Sequence, residues 1–158
     1  MLSNFAYVRA RSVREAVKHL ASGGSMLHAG GTDLLACLRD HVFDPGKIVS
    51  IRGLHSLHGI RETAEGGLRI GALTTITEVA ENPAVKGRFH ALARGASEVA
   101  SPQLRNQGTI GGNICQKPRC WYYRGEFHCL RKGGDRCFAV GAENRFHCIF
   151  GGDPCYIV

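Results

Sequence analysis

Apolar residues in the first 55 positions recur with a helical period in one segment and form short runs around it. Four of them share one face of a helix: Val13, Ala16, Val17 and Leu20. Ser12 and Glu15 have the spacing of a capping box, and a glycine pair follows, so the pattern predicts a helix over 13–21. The short apolar runs predict strands at 7–8, 26–29 and 47–51. A βαβ-like opening of this kind predicts a parallel sheet.

The pattern changes after Gly53, where alternating strands around 57–62 and 68–71 predict an antiparallel hairpin. Helices are expected from Thr74 and over 89–100. We therefore predict an α+β, bilobal fold with a small N-terminal βαβ lobe and a second lobe of antiparallel sheet with helices. The predicted domains are an α/β lobe over 1–55 and a second lobe over 56–158, which contains a cysteine-rich loop over 115–155.

Composition places the chain among globular proteins. Its 158 residues are 44% hydrophobic and 21% charged, enough for one compact domain or two small lobes sharing a core. No apolar run reaches the roughly 20 residues needed to cross a bilayer. The N-terminus lacks the basic-then-apolar order of a secretory signal, so we expect a cytoplasmic protein without membrane insertion. Export together with a signal-bearing partner is the alternative.

The net charge of +7 is concentrated in the C-terminal third. Residues 116–147 contain seven cations and three anions, a local excess of +4. A cationic shell stabilises thiolates or offsets the charge of a thiolate-bound cluster. A solvated basic face and a nucleic-acid-binding surface are the other interpretations.

The seven cysteines are unevenly distributed, with six of them after residue 114. They are Cys37, Cys115, Cys120, Cys129, Cys137, Cys148 and Cys155. An odd number would leave one cysteine outside a disulfide framework. The clustering favours a metal or cluster site over scattered core thiols.

Two glycine pairs, about 80 residues apart, are candidate ligand-binding turns at 29–35 and 108–113. Paired glycines let backbone approach a ligand, and free amides at a following helix favour an anion such as phosphate. Residues 30–33 are equally consistent with a simple turn capped by Thr32 or Asp33. Two such turns suggest an elongated ligand held at both, and neither GxGxxG nor GxxxxGK[ST] occurs.

Three motifs in order, at residues 29–35, 70–75 and 105–113, resemble those of the FAD-binding medium subunit of the molybdenum hydroxylases, the group of xanthine dehydrogenase and carbon monoxide dehydrogenase. The resemblance implies an FAD-binding fold in which both glycine turns hold the pyrophosphate. The cofactor-binding residues that it implies are Ala29, Gly30, Gly31, Thr32, Asp33, Leu34, Gly71, Thr74, Thr75, Gly108, Thr109, Gly111, Gly112 and Asn113.

The cysteine-rich loop resembles the version found in bacterial aldehyde oxidoreductases, where an inserted loop binds a [4Fe-4S] cluster. The implied ligands are Cys120, Cys129, Cys137 and Cys155. We expect the remaining cysteines to be core thiols: Cys37 in a helix, Cys115 after the second glycine turn, and Cys148 in a packed strand over 146–150. Core packing is the default expectation for the aromatic run at 121–123.

The resemblance also implies an electron-transfer role. A large molybdenum-cofactor subunit would oxidise the substrate, a small [2Fe-2S] subunit would relay electrons, and FAD would pass them to an acceptor. The three would form a heterotrimer or its dimer, without nucleic acid. No nucleophile–base pair or paired-carboxylate site is evident in the sequence, as expected for such a subunit.

Two alternatives remain: a basic zinc or nucleic-acid-binding protein, and a flavin-free structural subunit. Members of the family continue past the point where this chain ends, so we expect it to be a truncated version of a longer subunit.

Overall fold

The structure, a computed structural model, describes residues 2–157. The strands are β1 (Ala6–Arg9), β2 (Ser25–His28), β3 (Lys47–Ser50), β4 (Ile60–Glu62) and β5 (Leu68–Ile70). The helices are α1 (Val13–Ala21), α2 (Leu34–Arg39), α3 (Ile76–Glu81), α4 (Pro83–Arg88), α5 (His90–Ser97), α6 (Pro102–Gln107), α7 (Ile110–Ile114) and α8 (Trp121–Arg124). Single 3₁₀ turns cover His55–Leu57 and Leu130–Lys132. Every helix in the described part is too short to cross a membrane.

The chain forms two compact units. One, here called the glycine unit, contains residues 3–35 and 45–116, and the other, the cysteine unit, contains residues 36–44 and 117–157 together with Leu2. The predicted lobe boundary near residue 55 falls inside the glycine unit and stays a prediction. The mixed helix-and-strand architecture agrees with the predicted α+β class.

The parallel sheet has the order β1-β3-β2. Val49 of the central strand pairs in register with Val8 and Leu27 and is fully buried. Ala16 of α1 packs on Val49 together with Ala10. The predicted bounds of α1 are correct, and the Ser12 hydroxyl accepts a hydrogen bond from the Glu15 amide, as a capping box requires.

The predicted apolar face of α1 is only partly buried. Val13 and Val17 are 47% and 57% exposed, whereas Ala16 is buried. A sheet of three short strands covers a narrow stripe of the helix, so residues beside that stripe stay in solvent.

The main core lies between the β4–β5 hairpin and helices α3, α4 and α5. β4 and β5 are antiparallel, as predicted, with Ile60 opposite Ile70. Both isoleucines pack against a buried cluster made of Ile76, Val79, Ala80, Val85, Ala93 and Ala96. Thr75 and Glu78 form a capping box at the start of α3, which fixes where that helix begins.

The cysteine unit has little regular structure. Its part of the described chain contains the last four residues of α2, the single turn α8, and the 3₁₀ turn at Leu130–Lys132. The packed strand predicted over 146–150 is wrong, because Phe146 is 66% exposed and Ile149 and Phe150 are each 86% exposed. A β-branched and aromatic run forms a strand only beside a partner strand, and this unit has none among its described residues.

Candidate functional site

Two of the three sequence motifs are joined directly by backbone hydrogen bonds. The motif at 70–75 lies beside the motif at 108–113, and an antiparallel bridge pairs Thr75 with Thr109. Three amides donate across the joint: Gly111 to the Ala72 carbonyl (2.9 Å), Ile110 to Thr74 (2.8 Å) and Ile76 to Gly108 (2.9 Å). Segments more than 30 residues apart in sequence therefore form one rigid corner.

The first motif reaches the same corner through Gly30. A Cβ atom at Gly30 would overlap the carbonyl group of Gln107, and one at Gly111 would lie 2.8 Å from Ala72. Only glycine allows backbone to approach this closely. The three motifs identified in the sequence thus meet at one place in the glycine unit, and at two positions, Gly30 and Gly111, the close packing leaves no room for a side chain.

The two glycine turns differ in the hydrogen bonds that they leave free. Among residues 2–157, no backbone hydrogen bond uses the amides of Gly31 or Thr32 as donors. Gly31 also has a φ of +78°, a left-handed conformation that favours glycine. The first turn therefore keeps the donors that an anionic group needs.

In the second turn the amides already have protein acceptors. Gly111 donates to Ala72, and Gly112 donates to the hydroxyl of Thr109, which is buried. Thr109 caps helix α7, whose start coincides with the predicted turn. The direct phosphate-binding role expected for this turn stays a prediction, and the structure adds a packing role that the sequence did not indicate.

The two threonines of the middle motif have structural partners. Thr74 is 1% exposed, and its hydroxyl accepts a hydrogen bond from the Gly59 amide (3.0 Å) and donates one to the Gly59 carbonyl (3.2 Å). Thr75 caps α3. Gly71 packs against the carbonyl of Leu57. Of the other predicted residues, Thr32 is exposed and four are half-buried: Ala29, Asp33, Leu34 and Asn113.

His28 is a residue near the first turn that the sequence reading missed. Its Nδ1 lies 3.3 Å from the Tyr7 hydroxyl, and its Nε2 lies 2.9 Å from where a Cβ of Gly31 would be. Burial lowers the pKa of His28, and the charge of Arg52 lowers it further, so the ring is held neutral. The sequence signal that could have identified His28 is its position at the carboxyl end of a predicted parallel strand, because ligands bind at that end of the strands in α/β sheets.

The cysteine unit contains a cavity of about 330 Å³, counting space open to solvent. All four predicted ligands, Cys120, Cys129, Cys137 and Cys155, line it. The other lining residues are Pro118, Tyr122, Tyr123, Leu130, Arg131, Phe138, His147 and Ile157. Folding therefore brings together residues spread over 36 positions of sequence, which spacing alone did not guarantee.

The remaining three cysteines do not line this cavity. Cys37 is buried at 1% exposure, as predicted. Cys115 is exposed, so its assignment as a core thiol is wrong; α7 ends there and its side chain faces solvent. Cys148 is half-buried, and its thiol lies 3.9 Å from the carbonyl of Gly151, a contact within its own turn instead of the expected strand.

Among residues 2–157, no three His, Cys, Asp or Glu side chains converge as ligands of a single metal ion. A mononuclear zinc site needs such convergence. The ligands of a four-iron cluster each bind a different iron atom, so they surround a cavity instead of meeting at a point. Four thiols that line one cavity are the donor set that a group of the second kind would require.

Three aromatic residues, Tyr122, Tyr123 and Phe138, form part of the cavity wall, and Phe127 packs against two of them. The rings of Tyr122 and Phe127 are 5.0 Å apart, and those of Phe127 and Phe138 are 5.2 Å apart. Burial raises the pKa of the Tyr123 phenol, so it stays neutral. Of the four cavity cysteines, Cys129 is buried and the other three are half-buried, so the cavity shields its thiols unequally.

The corner combines close-packed glycine turns with backbone amides that have no backbone acceptor, a combination typical of domains that bind an anionic ligand. The family model described as the FAD binding domain in molybdopterin dehydrogenase matches residues 3–120. The chain belongs to this family, which confirms the resemblance inferred from the three motifs.

Two relatives differ in how much of the chain they match. The xanthine dehydrogenase FAD-binding subunit of Escherichia coli O157:H7 is 41% identical over 111 residues, covering 70% of this chain and 38% of the relative. The aldehyde oxidoreductase FAD-binding subunit PaoB of Escherichia coli K12 is 35% identical over 150 residues, covering 93% of this chain and 47% of the relative. The chain thus spans less than half the length of these relatives.

Solved structures agree on the fold. Carbon monoxide dehydrogenase from Hydrogenophaga pseudoflava superposes with a TM-score of 0.67 at 36% identity, over 72% of this chain and 40% of that one. Quinoline 2-oxidoreductase from Pseudomonas putida 86 gives a TM-score of 0.68 at 30% identity over the same fractions. The α+β FAD-binding fold predicted from the sequence is therefore confirmed.

Proposed function

We propose that this chain is the FAD-binding, electron-transferring part of a molybdenum-containing hydroxylase or dehydrogenase of the aldehyde oxidoreductase or xanthine dehydrogenase type. The observation that carries the proposal is the convergence of three sequence-distant motifs at one corner, where backbone hydrogen bonds join two of them and Gly30 brings the third into close contact. Bound FAD would supply two-electron uptake and one-electron release. Substrate oxidation would take place in a partner subunit.

The first glycine turn is proposed to hold the pyrophosphate. The amides of Gly31 and Thr32 have no backbone acceptor among residues 2–157, and Thr32 is exposed. Amides aimed outward from such a turn bind anionic oxygens without adding a counter-charge. The second turn, with Gly108, Thr109, Gly111, Gly112 and Asn113, would position the first turn and contribute contacts at its exposed edge.

The cysteine unit is proposed to hold a [4Fe-4S] cluster on Cys120, Cys129, Cys137 and Cys155. Their common cavity and its aromatic walls support this. The alignment with the aldehyde oxidoreductase subunit covers 93% of the 158 residues, which leaves about 11 unmatched, so it extends into the cysteine unit. That alignment must include the first three of the four cysteines. The cluster would supply one-electron chemistry.

The proposed partners are a large molybdenum-cofactor subunit and a small [2Fe-2S] subunit, in a cytoplasmic complex. A carbon monoxide dehydrogenase relative from Hydrogenophaga pseudoflava is named a medium chain, as expected of one subunit among several. In this arrangement the present chain binds FAD, orients it and excludes water, and its own side chains perform no acid–base step.

The test is to purify the chain in complex with the two proposed partner subunits and to quantify flavin, iron and acid-labile sulfide per chain. One FAD, together with four irons and four sulfides beyond those of the small subunit, is expected. Zinc in place of iron would contradict the cluster. An active complex without flavin would contradict the electron-transfer role.

A further inference from the structure

We infer that Arg131 and His147 donate hydrogen bonds to two of the four cavity thiolates and thereby raise the reduction potential of the cluster. The inference rests on the cluster of the proposed function. It assigns to two residues a role that cysteine spacing does not indicate, and it predicts a quantity that can be measured apart from enzyme activity.

Arg131 lies in the 3₁₀ turn that directly follows Cys129. Its Nε lies 3.0 Å from Cys155 Sγ and donates to it. The neighbouring Lys132 is anchored elsewhere, donating from Nζ to the Gly125 carbonyl at 2.5 Å. The two adjacent cations therefore have different partners, and of the two only Arg131 lines the cavity. An arginine is always charged, so its bond to a thiolate is charge-assisted.

His147 makes the second sulfur contact. Its Nε2 is 3.2 Å from Cys120 Sγ, and its Nδ1 is buried without a partner among the described residues. A buried N–H without an acceptor is rarer and costlier than an unpartnered lone pair, so the lone pair is assigned to Nδ1. The proton therefore belongs on Nε2, which donates to the sulfur.

The two remaining thiols differ from these. Within the described chain, no hydrogen-bond donor reaches Cys129 Sγ or Cys137 Sγ. Reduction adds negative charge, which spreads onto the ligand sulfurs, and donors to sulfur stabilise the reduced form. The His147 contact is partly buried and the Arg131 contact is exposed, so the Arg131 contribution depends on its charge-assisted bond to sulfur and not on burial.

The experiment is a redox titration of the cluster in the purified complex, followed by its absorbance and by electron paramagnetic resonance. Arg131→Met is expected to lower the equilibrium constant for one-electron reduction about tenfold, a shift of about 59 mV to more negative potential. Arg131→Lys should restore part of that shift. His147→Leu should also shift the potential negatively, and His147→Gln, which keeps an N–H donor, should restore part of it.

Arg136→Met is the matched control. Arg136 stacks on Phe138, with its guanidinium carbon 4.6 Å from the ring centroid, so its removal deletes a nearby charge without deleting a bond to sulfur. Equal reduction potentials in Arg131→Met and Arg136→Met, with iron retained in both, would overturn this inference but leave the proposed cluster standing. A wild-type complex without iron and sulfide would overturn the proposed cluster as well. If Arg131→Met loses its iron, the inference is tested by the two His147 variants instead. Equal reduction potentials of the cluster in His147→Leu and His147→Gln would overturn it.

Discussion

The glycine unit and the cysteine unit are stabilised by different means. Both hydrophobic clusters and all five strands belong to the glycine unit. After residue 116 only Cys129 and Ala139 are buried in the described chain, whereas Val140, Phe146, Ile149 and Phe150 are 63–86% exposed. A small unit with so little buried apolar surface usually needs a metal or a cross-link to remain folded.

This difference in buried apolar surface explains why hydrophobic periodicity predicts the structure of the glycine unit but not that of the cysteine unit. Periodicity locates elements that bury an apolar face, and this works in the glycine unit. In the cysteine unit, order depends on which side chains meet around a cavity, and periodicity carries no information about that. We therefore expect substitution of a proposed cysteine ligand to unfold the cysteine unit, and substitution of a closely packed residue to lower the stability of the glycine unit.

The largest effect is expected from Cys137→Ser. Loss of one of the four proposed ligands should remove most of the iron and make residues 117–157 at least about tenfold more susceptible to limited proteolysis, because metal binding supplies folding free energy. Iron per chain and mass spectrometry of the fragments measure this. Cys148→Ser, outside the cavity, should keep both properties. Equal iron loss in the two variants would show that the ligand assignment is wrong.

The next effect is expected from Gly30→Ala in the glycine unit. The added Cβ overlaps the Gln107 carbonyl, so the free energy of unfolding should fall by about 3 kcal/mol and flavin occupancy should fall with it. Urea unfolding and the flavin-to-protein ratio measure the two quantities.

Gly95→Ala provides the control for that substitution. Gly95 lies inside α5 with nothing within 4 Å of the added Cβ, so the change should raise stability by about 0.5–1 kcal/mol. If both alanine variants had the same stability, the close approach at Gly30 would not exist in solution.

A smaller loss is expected from Thr74→Val. Removing the buried hydroxyl leaves the amide of Gly59 without its acceptor, whereas the carbonyl of Gly59 keeps its bond from the Gly71 amide, so the loss should be about 1–2 kcal/mol. Thr77→Val is the comparison, since the Thr77 hydroxyl bonds Asn106 at an exposed site and should contribute about 0.5 kcal/mol or less. Urea unfolding of both variants measures the difference. Equal losses would show that burial at Thr74 has no energetic consequence.

The smallest effect is a pH dependence at His28. Its folded-state pKa is lowered, so below about pH 6.5 the unfolded chain binds the proton more readily than the native one. The His28 contribution to stability is therefore intact above that pH and is lost progressively as pH falls toward the native pKa. The stability difference between pH 7.5 and 5.5 should be smaller in His28→Gln than in the wild type. His90→Gln is the control, and an unchanged difference in His28→Gln would contradict the shift.

Local signals in the sequence predicted local structure well. The bounds of α1 were predicted at 13–21 because a capping serine and a glycine pair act within a few residues of the helix ends. The strand over 146–150 was predicted wrongly because strand formation depends on a partner elsewhere in the chain. The exposure of Val13 and Val17 was missed because the width of the sheet beneath α1 is not encoded in α1.

For the candidate site, too, some features could be predicted from the sequence and others only from the folded structure. By itself the sequence determined the family, through three motifs, and selected four of seven cysteines that prove to share one cavity. Only the tertiary structure decided that Gly30 and Gly111 are needed for packing, and that Arg131 and His147 contact sulfur. The physical reason is distance along the chain: caps and turns depend on neighbours a few residues away, whereas these contacts join residues 24 to 77 positions apart and exist only once the chain has folded.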